Sequence, residues 1–351
     1  MDKSKLKKVG LLVIIIGSVS ASATGLGFYF WYNPIFNEQR EPEKFFWVRW
    51  SGDAATVLDE NYDMIDMISP SWYVLESDGN VSYGDDWESS TLSEHEQVLT
   101  VCASRGVEVH PMVAGGSQEN MHNLLSDSQR QQNFIGNLTA IMVDKGFDGI
   151  NIDFEGIDAS YRAAFTAFYG DLKDAMPEDT NLSIAVPAKT WGSKTGWSGW
   201  CDYQSLGQIS DMFMIMTYDE HGGWTDAGPV SSESWVKSVL AFAVREVPLE
   251  KLFIGIPRYG YDWSEDPDWE NWGYGYQFFM DKKNLYGGTT RRYKDGYEVI
   301  MEYTDSEGYD HICYYWDAET TARREEFLSS YPIGGYCYWY LTSGDPAYFP
   351  A

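Results

Sequence analysis

The chain has 351 residues and carries 53 acidic against 25 basic side chains, for a formal net charge of −28. That charge opposes binding to nucleic acid or to an anionic polymer surface and leaves a neutral polymer as the easier partner. Aromatic residues make up 16% of the chain, with 15 Trp and 25 Tyr, more than a core alone needs, and exposed rings are how proteins hold sugar faces and other flat ligands.

The chain opens on Lys3, Lys5, Lys7 and Lys8, followed by an uncharged stretch over 9–32 whose most apolar part is 11–16. This is the pattern of an export signal. Ala21-Ser22-Ala23 fits a small-x-small cleavage site, whereas the whole uncharged span is long enough to cross a bilayer as an anchor. The interfacial aromatics of 27–32 favour the anchor, which places everything after about residue 33 outside the cytoplasm and confines membrane contact to this segment. Residues 1–32 are therefore read as a signal peptide or signal anchor, 33–44 as a short charged linker, and 45–351 as one folded domain.

Within that domain apolar segments recur in a strand-then-helix rhythm. Strands are predicted over 45–50, 64–75, 107–114, 147–155, 182–187, 212–218, 252–259 and 335–341, with helical patterns over 93–105, 126–145, 161–176, 232–247 and 320–331. Eight strands alternating with helices predict an α/β fold, a (β/α)8 TIM barrel. The interval 264–310 breaks the rhythm. It is rich in Gly, Tyr and charge and contains a hairpin-like run over 292–299, so it is read as a small α+β insertion between strands seven and eight that walls a groove.

The fourth predicted strand carries the chemistry. With the period of two that a strand imposes, Gly149, Asn151, Asp153 and Glu155 face one way while Ile150, Ile152 and Phe154 face the other. Carboxylates gathered at the carboxyl end of a strand on the inner face of a barrel lie where barrel enzymes keep their sites, and burying them without a purpose is costly. A solvated acidic edge strand is the bland alternative, and the flanking Ile and Phe argue against it.

No metal or cofactor is expected. The histidines at 95, 110, 122, 221 and 311 lack ligand spacing, and no phosphate loop, dinucleotide fingerprint or G-x-S-x-G is present. Cys102, Cys201, Cys313 and Cys337 show no C-x-x-C spacing, which leaves disulfides and buried core thiols both open.

The run from Asp148 to Glu155 resembles the fourth-strand motif D-G-x-D-x-D-x-E of the family 18 glycoside hydrolases. Met216-Thr217-Tyr218-Asp219 is similar to the family's sixth-strand M-x-Y-D, and Gly255-Ile256-Pro257-Arg258-Tyr259-Gly260 to its seventh-strand G-I-P-x-Y-G. The segment 334–340 resembles its eighth strand ending in a Trp, so four motifs fall in order over about 45–349. The nearest likeness is to the bacterial branch associated with spore germination and cell-wall lysis, without the wall-binding repeats often seen there.

The resemblance implies hydrolysis of β-1,4-linked N-acetylglucosamine glycans, chitin or peptidoglycan, by a retaining route in which the substrate's own 2-acetamido oxygen attacks the anomeric carbon. It makes Glu155 the general acid and later base, gives Asp153 the acetamide N–H and Tyr218 the acetamide oxygen. Trp339 matches the Trp that floors the pocket. Asp219 and Tyr259 are weaker candidates for substrate contact, and Asn151 stands where the family commonly has Asp and is expected to hydrogen-bond Asp153. Asp148 is read as structural. Trp72, Trp191, Trp197, Trp224, Trp263 and Trp272 are further candidates for a groove. A catalytically silent, lectin-like barrel is the competing reading, disfavoured by Glu at position 155.

Overall fold

A computed structural model describes residues 41–49, 53–84 and 92–349, so the leader and linker readings lie outside the described residues. The chain from residue 43 onward curls a parallel sheet into a barrel. Its strands are β1 (Glu43–Val48), β2 (Met67–Pro70) with its continuation β3 (Tyr73–Leu75), β5 (Glu108–Val109) with β6 (Met112–Ala114), β7 (Gly149–Asp153), β8 (Asn181–Pro187), β9 (Met212–Met216), β10 (Leu252–Pro257) and β16 (Gly335–Trp339). A short β4 (Val81–Tyr83) pairs antiparallel with β3.

The third barrel strand is split because Pro111 has no N–H to give to a ladder. Both halves still close the barrel. β2 pairs with β5, β6 pairs with β7, and the Asp148 and Asn151 N–H groups donate to the Val109 and Pro111 carbonyls at 3.1 and 3.0 Å. Asp148 adds its carboxylate, which accepts the Val109 N–H at 2.9 Å, a structural bridge.

Side-chain parity separates two cores. Phe45, Trp47, Met67, Met112, Ala185, Met214, Phe253 and Cys337 fill the barrel, while Ile150, Ile152, Ile184, Ile215 and Ile254 face the surrounding helices. Those helices include α1 (Ala54–Asn61), α2 (Leu92–Arg105), α3 (Gln118–Ser126), α4 (Ser128–Lys145), α5 (Arg162–Ala175), α6 (Tyr203–Ile209) and α7 (Glu233–Glu246). The helix expected over 126–145 is α4, which starts two residues later than expected, at Ser128, with α3 a separate helix before it. Asp127 separates the two, its carboxylate accepting the Gln129 and Arg130 N–H groups as the cap of α4, while Gly146 ends α4 at φ 66°.

The insertion is a five-stranded antiparallel sheet in the order β12-β11-β15-β14-β13, from β11 (Tyr259–Ser264), β12 (Gly273–Gly275), β13 (Thr289–Arg292), β14 (Val299–Thr304) and β15 (Asp310–Tyr315). Helix α8 (Tyr276–Tyr286) packs Phe279 onto it, and α9 (Ala318–Leu328) leads back to the barrel. The predicted hairpin is present, with Arg292 opposite Val299. The sheet begins earlier than the sequence suggested: the barrel strand stops at Pro257 and Tyr259 already belongs to the insertion.

All four cysteines are buried and unpaired. Among the described residues no helix is long and apolar enough to cross a membrane, and no cluster of His, Cys, Asp and Glu is arranged to hold a metal ion.

Candidate active site

The predicted strand 147–155 ends two residues early, at Asp153, and Glu155 sits in the loop just beyond it. Gly156, at φ 75°, turns the chain there. Strands β9 and β16 likewise stop at Met216 and Trp339, so Tyr218 and Asp219 stand just past the carboxyl ends of their strands and Trp339 at the end of its own.

Asp153 is half-buried, and its Oδ1 is fully buried with no hydrogen-bond partner. Burial first, and the neighbouring Glu155 second, push its carboxyl well above the ordinary carboxylate range. Glu155 is exposed at the cleft mouth, yet protein packed around its carboxyl pushes it up by desolvation and then by the charge of Asp219. Three carboxylates thus crowd one cleft, an arrangement that holds protons at pH values where isolated acids have lost them. Tyr218 is buried, and desolvation holds its hydroxyl in the protonated, donating form.

Asp219 adopts a left-handed backbone, φ 60°, which aims its carboxylate back at the hydroxyls of Tyr259 and Tyr261. The Tyr261 bond is 2.9 Å. Tyr259 is therefore not a free substrate contact: it is 6% exposed and its hydroxyl is spent on Asp219. The role of Asp219 is correspondingly electrostatic, acting on Glu155, as well as lining the cleft.

Asn151 departs furthest from expectation. It is fully buried, so it touches no substrate, and it does not bond Asp153. Its Oδ1 accepts the Trp47 indole N–H at 3.0 Å and its Nδ2 donates to Ser183 Oγ at 2.8 Å. Trp47 in turn meets Trp339 edge to face at 5.7 Å, so Asn151 is linked to Trp339 through Trp47.

A cavity of about 610 Å³ opens beside Glu155, lined also by Pro187, Ala188, Trp197, Met216, Tyr218, Asp219, Trp224 and Trp235. Trp197 and Trp224 are among the exposed large side chains of the protein. The sequence reading named both only as members of a larger set. Trp72 and Trp263 from that set are buried, and Trp235 was missed because apolar spacing in the first turn of α7 reads as core. A larger cleft of about 830 Å³ lies against the small sheet, but Asp153, Glu155, Tyr218 and Asp219 are not among its lining residues.

Carboxylates of raised proton affinity at the carboxyl ends of barrel strands, beside a donor hydroxyl and a tryptophan-lined cavity, define a glycosidase-type barrel. Residues 44–344 match the description "Glycosyl hydrolases family 18", and the chain belongs to that family. It is 28% identical to the uncharacterized glycosylase YvbX of Bacillus subtilis over 312 residues, covering 86% of this chain and 88% of that protein. It is 28% identical over 224 residues to the cortical fragment-lytic enzyme of Bacillus anthracis, covering 62% of this chain and 51% of that protein. The chain spans about half the length of several curated relatives it matches. Among solved structures, a chitinase from Chromobacterium violaceum superposes with a TM-score of 0.78 at 24% identity, over 88% of this chain and 96% of that one, a likeness of fold.

Proposed function

We propose that this chain hydrolyses β-1,4-linked N-acetylglucosamine-containing glycans, with peptidoglycan or chitin oligomers as the substrate class. What carries the reading is the pair Asp153 and Glu155, both of raised proton affinity, with the unpartnered Asp153 oxygen and the protonated Tyr218 hydroxyl beside them. A buried acceptor with no partner and a buried donor are the complement of an acetamide, which offers one N–H and one carbonyl oxygen.

In this mechanism Glu155 gives its proton to the departing glycosidic oxygen as the acetamide oxygen bonds to the anomeric carbon and the C–O bond breaks. Asp153 accepts the acetamide N–H and stabilises the positive oxazolinium, and Tyr218 donates to the acetamide oxygen. Water then attacks the anomeric carbon, Glu155 takes back a proton, and the ring opens to the retained product. Sugars without a 2-acetamido group are not cleaved. The raised proton affinity of Glu155 keeps its acid form available near neutrality, and activity falls as pH rises through its pKa.

The charged leader over 1–32 supports an extracytoplasmic location, secreted or tethered through that segment. The names of the relatives, a cortical fragment-lytic enzyme among them, favour a cell-wall glycan. Release of reducing ends from chito-oligosaccharides and from peptidoglycan strands tests the proposal. Glu155→Gln is expected to lower kcat about 10²- to 10⁴-fold with glycan affinity retained; equal turnover by the variant sinks the assignment.

A further inference from the structure

The loop between β8 and α6 is held by an unusual cation. Lys189 is 4% exposed, and its Nζ donates to the carbonyls of Ser193 at 3.1 Å and Cys201 at 2.6 Å, with the Tyr203 ring centroid 5.5 Å away. The neighbouring carboxylate, Asp202, is engaged instead by Arg162 at 3.0 Å. Arg162 adds its own donors to the same stretch of backbone, reaching the carbonyls of Gly199 at 3.0 Å and Cys201 at 2.7 Å.

A buried ammonium satisfied by backbone carbonyls and a ring face is costly, and an apolar side chain of similar length fills the same volume more cheaply. What the lysine supplies in return is the shape of a loop that has neither helix nor strand over 188–202. The two carbonyls it joins are eight residues apart, and between them the backbone makes only tight turns, such as Gly199 N–H to Gly196 O at 3.0 Å. At the crest stands Trp197, 64% exposed. Its indole packs over Gly156, where a Cβ would lie 3.3 Å from Cη2, and it lines the same cavity as Glu155. Its position relative to the acid is thus set by a loop that Lys189 and Arg162 tie at the base.

We infer that Lys189 is a positioning residue for glycan binding: with Arg162 it clamps the 188–201 loop so that Trp197 stands beside Glu155 as an aromatic platform for one sugar of the polymer. This rests on the glycan-hydrolase reading above and assigns to that site a residue outside its four motifs. The flat indole face matches the C–H face of a pyranose, which makes chain length, not the acetamide, the property Trp197 reads.

The test is calorimetric titration of N-acetylglucosamine pentamer into the Glu155→Gln protein, which does not consume the ligand. Lys189→Met, Trp197→Ala and their double variant are made in that background. Each single change is expected to weaken Kd about tenfold, with the double no weaker than either alone, because both remove one platform. Lys189→Arg, which restores donors to the carbonyls, recovers most of the affinity. In the active protein the same changes raise KM for long oligomers more than they lower kcat. Unchanged affinity in either single variant, or losses that multiply to about 100-fold in the double, overturn the clamp. Should Lys189→Met not fold, Arg162→Met, which removes the other donors to the Gly199 and Cys201 carbonyls, replaces it in the cycle. Pentamer binding without wild-type turnover defeats hydrolysis and leaves the clamp standing; turnover with multiplying losses defeats the clamp alone; binding by no form defeats both.

Discussion

Two aspartates with buried carboxylate oxygens face the same physics with opposite outcomes. Asp262, at the heart of the small sheet, accepts the Tyr303 hydroxyl at 2.5 Å and faces His311 Nδ1 at 2.9 Å. Asp153, at the end of the fourth barrel strand, leaves one oxygen with no partner. Burial raises the proton affinity of both. In Asp262 protein donors counter that rise, whereas in Asp153 a second carboxylate adds to it. The first is a closed structural account; the second is open toward something that is not protein, and that is what separates a site from a core.

The sharpest way to break the comparison is to remove each charge in turn. Asp153→Asn is expected to lower kcat about 10²- to 10³-fold by withdrawing the group that stabilises the oxazolinium. Its Tm should hold or rise, because the fold gains nothing from an unmet buried carboxylate. Turnover and thermal unfolding on the same preparation decide it; a large loss of Tm with preserved kcat makes Asp153 structural. Asp262→Ala should behave the other way. Leaving Tyr303 and His311 without their shared acceptor costs about 3 kcal/mol, roughly 5 °C or more in Tm, while activity per folded molecule falls far less than in Asp153→Asn. Denaturant titration reads the first number.

Glu298 sharpens the contrast, because it is a buried carboxylate satisfied by backbone. It accepts the Val230 and Ser231 N–H groups at 2.8 and 2.7 Å, and Ser231 Oγ donates to the Thr217 carbonyl next to Tyr218. Burial nevertheless pushes its carboxyl up to about 7. An unfolded Glu titrates near 4.5, so between those values the folded state holds a proton the unfolded state has lost. The resulting stability is present in full below about pH 4.5 and is lost as pH rises to 7, an effect of about 3 kcal/mol at most. Glu298→Gln should flatten the dependence of Tm on pH across this window. A slope identical to wild type removes Glu298 from the account.

Much of this was legible in the sequence. The period of two placed Asp153 inside and Ile152 outside, and turnless apolar runs marked all eight barrel strands, because strand parity and burial are local properties. Strand ends were overrun by two residues at Glu155, Tyr218 and Leu341, since loops that line a site are themselves partly buried and keep apolar spacing. Helices α1, α3, α6 and α8 went unread. The roles of Asn151 and Tyr259 were not local at all: each is decided by partners far off in sequence, Trp47 and Ser183 for the one and Asp219 for the other. Lys189 gave no signal, because a lysine reads as surface until its burial is seen.

Asn151 supports the smallest and most discriminating change. Ser183 Oγ already donates to the Ile150 carbonyl at 3.1 Å, so it must receive a hydrogen from position 151, while Trp47 must give one. An amide does both; a carboxylate can only accept; a neutral carboxylic acid again does both. Asn151→Asp, the residue common in the family at this position, should therefore fold with its acid protonated inside the barrel. At pH 4 its Tm should lie close to wild type. As pH rises, the unfolded state releases the proton near 3.9 while the folded state retains it, so the deficit should grow by about 1.4 kcal/mol per pH unit, to about 4 kcal/mol by pH 7. Because the buried acid stays neutral, the alkaline limb of the activity profile, where Glu155 loses its proton, should not move. A Tm deficit equal at every pH, or a limb displaced upward, means that Asp at 151 is charged, and that this position tunes the proton affinity of Asp153 and Glu155 instead of only holding Trp47 and Trp339 in place.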